Sequence, residues 1–81
     1  MAEKEGDKRA RRLLKPFIDR ESIDIKETEQ IAQDAGFQPG AWGGYLNGKG
    51  CLERNGDQIS ITEVGIHEYV RLRRKLTASG K

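Results

Sequence analysis

Two residues of this chain belong to types that often carry covalent or metal chemistry, His67 and Cys51. Each is the only one of its kind among the 81 residues. A zinc site needs several nitrogen or sulfur ligands, and a nucleophilic relay needs a histidine held beside a serine or cysteine. His67 has no companion for either chemistry, so we interpret it as a surface or partly packed residue. We interpret Cys51 as a small, half-buried residue on the polar side of a strand, with an intermolecular disulfide as the alternative.

The acids and the glycines do not form a catalytic pattern either. Five acids are scattered along the chain: Glu27, Glu29, Asp34, Glu53 and Glu63. Their positions fit helix ends and solubility better than a pair of carboxylates for acid and base catalysis. The glycine-rich stretch from Gly36 to Gly50 lacks the Lys-Ser/Thr ending of a phosphate loop. We therefore expect no enzyme activity, no cofactor, no metal and no small-molecule ligand.

The cations are the side chains whose chemistry the sequence does indicate. The chain has 15 lysines and arginines against 13 acids, a net charge of +2. They cluster near both ends: Lys8, Arg9, Arg11, Arg12 and Lys15, then Arg71, Arg73, Arg74 and Lys75. A cation that neutralises a phosphate adds salt-sensitive affinity for nucleic acid. The first cluster is either a phosphate clamp or a solvated helix face.

Length and hydropathy limit the architecture that positions these cations. With 81 residues, of which 35% are hydrophobic, the chain has room for one domain with a thin core. No run approaches the ~20 apolar residues of a membrane span, and a single cysteine fits an intracellular protein. We expect one domain over residues 1–81, ordered from about 8 to 76, in the cytoplasm or, in a eukaryote, the nucleus.

The first basic cluster lies on a predicted amphipathic helix from Asp7 to about Arg20. Its apolar stripe is Ala10, Leu13, Leu14, Phe17 and Ile18. Pro16 removes one helical hydrogen bond, which predicts a kink, with two short helical pieces as the alternative. A very short strand is predicted over 22–25, where polar and apolar residues alternate.

A second and a third helix are predicted on either side of a tight turn. The second runs over Glu27–Ala35 and ends at Gly36 in a glycine cap. Pro39 suits the first turn of the third helix, which has a stripe of Trp42, Tyr45 and Leu46. Core packing is the favoured interpretation of Trp42, whereas Tyr45 is equally suited to the core and to stacking on bases. Four glycines predict that this helix is short: Gly40, Gly43, Gly44 and Gly48.

Asn55-Gly56 predicts a two-residue hairpin turn between two runs of alternating polarity. Pairing about that turn sets Leu52 opposite Ile59, on the same face as Ile61. Arg54 is a candidate for phosphate or minor-groove contact, because a hairpin tip has little structural need for a cation.

The last helix is predicted to begin after a Thr62 cap and to run to about Leu76. The residues expected inward are Ile66, Tyr69, Val70 and Leu76, and those expected outward are Arg71, Arg74 and Lys75. Leu72 lies off this stripe.

The order of these elements resembles that of the winged helix-turn-helix superfamily. Locally, Ile25, Gln30-Ile31-Ala32 and Gly36-Phe37 resemble the strand, second helix and turn of winged helix regulators. Ile61-Thr62-Glu63-Val64-Gly65 is similar to the Leu-Thr-x-x-Gly start of their closing helix. The resemblance covers nearly the whole chain and indicates no single family within the superfamily.

The resemblance implies an α+β fold with a three-helix core, a short first strand, a two-stranded β-hairpin wing and a C-terminal helix. It implies that the third helix lies in the major groove of DNA and that the wing contacts the backbone or minor groove. By comparison with the family, Ala41, Trp42 and Leu46 face the core. Outside, only Gln38 and Asn47 suit bidentate contacts with adenine. The predicted DNA-binding residues are Gln38, Gly40, Gly43, Tyr45, Asn47, Lys49, Arg54, Asn55, Arg11 and Arg12.

The first functional hypothesis is therefore a winged helix that binds duplex DNA, mainly at the phosphates. Such a protein is a small transcriptional regulator or an architectural or replication-associated factor. The alternative is a winged helix that binds protein within a larger complex, with exposed apolar residues and the glycine-rich helix as its docking surface. A homodimer is also open, with Leu72 as its candidate contact. Analogy of fold does not separate these hypotheses.

Overall fold

The computed structural model is an α+β fold with four helices and one small three-stranded antiparallel sheet. It describes residues 4–79, with side chains over 4–75. The elements, in chain order, are α1 Glu5–Asp19, β1 Ile23–Asp24, α2 Ile25–Ala35, a 3-10 turn Ala41–Gly43, α3 Gly44–Asn47, β2 Leu52–Asn55, β3 Gln58–Ile61 and α4 Glu63–Ser79. None of the helices in this described part is long and apolar enough to cross a membrane.

Helix α1 packs against α2 and α4 and supplies much of the core. Its buried residues are Ala10, Leu13, Leu14 and Phe17, as the periodicity predicts. Ile18 is 42% exposed, so its inward assignment is wrong. Ile18 lies about 100° around the helix from Phe17, at the edge of the buried stripe. The helix continues through Pro16, whose carbonyl accepts a hydrogen bond from the Arg20 N–H, so the alternative of two pieces is wrong.

Helix α2 begins two residues earlier than predicted, because Asp24 caps it. The Asp24 carboxylate accepts a hydrogen bond from the Lys26 N–H at 2.8 Å. The predicted glycine cap at the other end is confirmed: Gly36 has φ 106°, and the Phe37 N–H reaches back to the Ala32 carbonyl at 2.9 Å. Phe37 packs against the edge of the core.

The third helix is short, as predicted, but it does not begin at Pro39. Gly40 has φ 77°, which breaks the helical path, and the chain then makes a 3-10 turn before the single turn of α3. Trp42 is buried, as expected. Ala41 is exposed, so its core-facing assignment is wrong. A 3-10 turn has three residues per turn, and the faces therefore differ from those of a regular α-helix starting at Pro39.

The three strands pair in the order β1-β3-β2. Asn55 pairs with Gln58, so the two turn residues are Gly56 and Asp57, and Leu52 faces Ile61. The predicted pairing of Leu52 with Ile59 is thus wrong by two residues. Gly56 has φ 65° and takes the first central position, the position at which a type II′ turn has glycine. A shift of two residues preserves the faces of a strand, which is why the predicted inward residues still point to the core.

Strand β1 joins the hairpin through Ile23, which pairs with Ile59. Both side chains are fully buried. The first strand and the hairpin therefore form one sheet, whose inner face lies on α1.

The start of α4 confirms the predicted Thr62 cap. The Thr62 hydroxyl accepts a hydrogen bond from the Gly65 N–H at 3.2 Å and donates one to the Gly50 carbonyl at 2.6 Å. The Thr62 N–H donates to the Cys51 carbonyl at 2.9 Å. These contacts fix α4 to the chain that leads into β2.

The inward face of α4 differs from the prediction. Tyr69 and Leu72 are buried, whereas Ile66 and Val70 are 43% and 40% exposed. The reason is Gly65, because a Cβ there would collide with the Cys51 carbonyl oxygen and lie 2.6 Å from Ile61 Cγ1. The backbone of α4 at Gly65 therefore packs directly on the hairpin. Leu72, two turns later on the same side of the helix, consequently faces the core. Leu72 is therefore wrong as a dimer contact, and the side chain of Leu76 lies outside the described residues.

Candidate nucleic-acid interface

Glu29 fixes the segment of the candidate interface between α2 and α3. Its carboxylate accepts a hydrogen bond from the Trp42 indole N–H at 3.1 Å. It also accepts one from the Gly40 N–H, at 3.1 and 3.3 Å from its two oxygens. The Trp42 hydrogen bond holds the pKa of Glu29 below its ordinary value, and the Gly40 N–H acts in the same direction against the opposing effect of burial. A charged carboxylate therefore ties the positive-φ glycine and the buried indole to α2.

Sequence reasoning grouped Glu29 with the acids at helix ends and missed this role. Its partners lie 11 and 13 residues further along the chain. No local spacing rule connects residues so far apart across a turn. The only signal was the indole of Trp42, since a buried Trp N–H requires an acceptor.

Gly43 and Gly44 are bare backbone on the surface of the α3 segment. Both have ordinary right-handed helical dihedral angles, and a Cβ at either position would meet nothing within 4 Å among the described residues. Gly40 is different, because its φ of 77° favours glycine. Each helical glycine costs about 1 kcal/mol relative to alanine. The internal packing of the described chain gives no reason for glycine at 43 and 44.

Tyr45 positions Lys49 at the end of α3. The Tyr45 ring meets Phe37 edge to face, with centroids 5.6 Å apart. Lys49 Nζ lies over the same ring at 5.5 Å from its centroid, the geometry of a cation–π contact. The tyrosine is half-buried, and this burial raises the pKa of its hydroxyl. The exposed Lys49 ammonium is therefore held beside the surface of α3.

Gln38 and Asn47 flank the α3 segment and are both exposed. Gln38 lies in the turn, where its carbonyl accepts the Ala41 N–H at 3.0 Å. Asn47 is the last residue of α3. The two side chains that suit adenine contacts are thus accessible, one before and one after the glycines.

Arg54 and Asn55 lie at the exposed tip of the hairpin. Arg54 Nε donates a hydrogen bond to the Gly56 carbonyl at 2.7 Å. The expectation that the tip has little structural need for a cation is therefore wrong, although this bond engages only one nitrogen of the guanidinium. Asn55 belongs to β2 and not to the turn.

Arg11 and Arg12 stand apart from the other predicted residues. Helix α1 packs mainly on α2 and α4, whereas α3 packs on the 3-10 turn and β2. Arg11 is half-buried and engaged in an interaction. Arg12 is exposed beside a groove between α1 and α2 that Ile31 and Asp34 also line. The structure brings the α3 residues next to the strand that carries Arg54, whereas Arg11 and Arg12 lie on a helix that packs mainly elsewhere.

Ion pairs within the chain occupy several residues of the two basic clusters. They are Arg9 with Glu5 at 3.8 Å, Lys15 with Asp19 at 3.2 Å, Arg71 with Glu68 at 2.6 Å and Lys75 with Asp7 at 2.9 Å. The local positive charge is therefore smaller than a count of lysines and arginines indicates.

Cys51 and His67 lie in opposite environments, one buried and one exposed. Cys51 is 2% exposed, and burial raises the pKa of its thiol, so both the half-buried polar assignment and the disulfide alternative are wrong. His67 is exposed on α4. No group of three or more histidine, cysteine, aspartate and glutamate side chains in the described part could hold a metal ion.

Comparison with known proteins gives this chain no relative. No family model matches it, and neither a curated protein nor a solved structure does.

Proposed function

We propose that this chain is a winged helix protein that binds duplex DNA, and that it is not an enzyme. The order of its helices and strands agrees with that fold. The observation that carries the proposal is the open backbone of Gly43 and Gly44, with the cation Lys49 just after α3 and the cation Arg54 on β2, which packs against α3. Glycines that the fold does not require allow another molecule to approach the main chain closely.

The short length of α3 and the side chains that it presents favour phosphate contacts over base contacts. Helix α3 has four residues and is about 6 Å long, which is too short to run along a major groove. It presents no arginine, the side chain that most often contacts guanine. Gln38 and Asn47 are the side chains suited to adenine. We therefore propose binding with little sequence preference, as in an architectural or replication-associated factor or a regulator of broad specificity.

The test replaces both glycines by alanine. Gly43→Ala and Gly44→Ala should each stabilise the fold by up to about 1 kcal/mol, because both positions are helical and open. The double variant should nevertheless lose affinity for a duplex DNA, because two methyl groups cover the backbone. Thermal unfolding gives the first quantity, and a fluorescence titration at ~50 mM and ~200 mM salt gives the second.

Gly6→Ala is the matched control, since Gly6 is also helical, exposed and clear of neighbours. It should leave DNA affinity unchanged. Binding by the double variant that equals the wild type contradicts the proposed surface. Absence of binding by the wild type at ~50 mM salt contradicts DNA binding itself, because a few phosphate contacts remain measurable there.

A second candidate function is docking to another protein. The observation that favours it is a pair of exposed aliphatic side chains one turn apart on α4, Ile66 and Val70. Contact with the apolar surface of another protein would remove this pair from water. Binding to a protein through them would vary little with salt, which distinguishes it from phosphate contacts.

A further inference from the structure

The side of α4 turned away from the core carries both apolar and charged residues. We call this surface the α4 outer face and define it as Glu63, Ile66, His67, Val70 and Arg74, all of them exposed. Successive residues of a helix are 100° apart, which places these five on the side opposite the buried Gly65 and Leu72. Ile66 and Val70 lie one turn apart at the centre of this face.

The ends of the α4 outer face carry opposite charges. Glu63 lies at the N-terminal end and Arg74 at the C-terminal end, eleven residues later and thus about 16 Å away. Neither side chain forms an ion pair or hydrogen bond with another residue of the described part. A point midway between Ile66 and Val70 is about five residues from Glu63 and about six from Arg74. Arg71 and Lys75 border this face as well, but Glu68 and Asp7 form ion pairs with them. The charges of Glu63 and Arg74 therefore lie nearly symmetrically about the apolar centre.

This balance makes the face complementary to itself in one orientation. When a second α4 lies antiparallel to the first, Ile66 meets Val70 of the other copy, and Glu63 meets Arg74 at both ends. A parallel arrangement instead places glutamate beside glutamate and arginine beside arginine, which is unfavourable. A contact in which each residue meets its counterpart by a two-fold rotation is the usual form of a homodimer.

We propose that the α4 outer face is the contact between two copies of this chain, with their α4 helices antiparallel. The apolar centre consists of two side chains per copy, so the association is weak and depends on concentration. It uses residues outside the candidate nucleic-acid interface. The proposal therefore stands or fails independently of DNA binding.

Sedimentation equilibrium without DNA tests the proposal. We expect the mass to rise from that of a single 9.1 kDa chain towards twice that value between about 10 µM and about 1 mM. Val70→Asp should abolish the rise, because it puts a carboxylate into the apolar centre of both copies. Val64→Asp is the matched control, as Val64 is 55% exposed on the same helix but lies to one side of the outer face. It should leave the association unchanged.

A charge exchange tests the antiparallel orientation and does not depend on how the Val70 variant folds. Glu63→Arg and Arg74→Glu should each raise the dissociation constant about tenfold, because each creates a like-charge contact at both ends. The double variant carrying both changes should return to within about threefold of the wild type. A chain that stays monomeric at about 1 mM, or a double variant as weak as the single ones, overturns the proposal.

Discussion

The carboxylate of Glu29 accepts the indole N–H of Trp42 at 3.1 Å and thereby joins the middle of α2 to the 3-10 turn before α3. The same carboxylate holds the Gly40 N–H. The path of the chain across the candidate interface thus depends on one side chain on the preceding helix. Its role can be tested by changing the charge without changing the shape.

Glu29→Gln should lower the thermal unfolding midpoint at neutral pH. A glutamine oxygen in the place of Oε1 can still accept both N–H groups, but the amide nitrogen cannot accept the Gly40 N–H as Oε2 does at 3.3 Å, and the negative charge is lost. Folding lowers the pKa of Glu29 below its ordinary value of 4.5. The charged carboxylate therefore stabilises the fold fully at a pH above 4.5, and this contribution disappears as the pH falls through the lowered pKa. The difference between variant and wild type should therefore shrink in acid.

Thermal unfolding between neutral pH and about pH 3 measures that difference. Glu53→Gln is the control, because Glu53 is exposed on β2 and pairs with Ser60 only through the backbone. It should change the midpoint little at any pH. A Glu29→Gln effect that is constant across this range contradicts the assigned role of the charge.

Gly65→Ala should strongly destabilise the fold. The new Cβ would collide with the Cys51 carbonyl, which is backbone and cannot rotate away. We expect a loss of about 1–3 kcal/mol or more, as for other overpacked sites. Urea denaturation measures it, with Gly6→Ala as the glycine control. An unchanged midpoint would mean that α4 does not rest on the hairpin at this point.

Leu72→Ala should destabilise the fold much more than Ile66→Ala does. The sequence pattern, which placed Ile66 inside and Leu72 off the apolar stripe, predicts the reverse. Leu72 is 1% exposed, so its truncation should cost about 2–5 kcal/mol. Ile66 is on the outer face, and its replacement should change stability by roughly 0.5 kcal/mol or less. The two unfolding free energies should be measured at low protein concentration, where self-association does not contribute. Equal losses would contradict the orientation of α4.

Lys49→Ala and Arg54→Ala should weaken DNA binding regardless of sequence. Loss of one phosphate contact reduces the slope of log affinity against log salt by about one. Titrations of each variant with two unrelated duplexes measure affinity, slope and preference together. Lys15→Ala is the control, because Lys15 is paired with Asp19 on α1. A changed preference between the duplexes on replacing Gln38 or Asn47 would instead indicate base contacts.

Local rules predicted the parts of this fold that local chemistry decides. The Gly36 cap and the Thr62 cap depend on residues within a few positions, and both are confirmed. The turn lies one residue later than predicted, which shifts the strand pairing by two. Asn-Gly and Gly-Asp both suit a two-residue loop, and only pairing across the sheet separates them. Periodicity likewise cannot distinguish the two apolar faces of α4.

Tertiary contacts determine the features that were predicted wrongly or missed, and no residue spacing in the sequence indicates those contacts. The orientation of α4 depends on Gly65, which has no side chain to add to an apolar stripe. The predicted interface residues Tyr45, Asn47 and Lys49 do lie on one segment, because they are neighbours in sequence. Glu29 was missed because its partners belong to another element. The separation of Arg11 and Arg12 from α3 depends on helix packing in the same way.

The ion pair between Lys75 and Asp7 joins residues that are 68 positions apart, so the beginning and the end of the described chain lie side by side. A short linker could therefore connect them, while new termini open at the exposed Gly56-Asp57 turn. In such a circular permutant β3 and α4 precede α1 and α2 along the chain, yet the elements should pack in the same fold. The permutation would also remove the covalent turn between β2 and β3. The tip that carries Arg54 would then be held only by hydrogen bonds between the two strands.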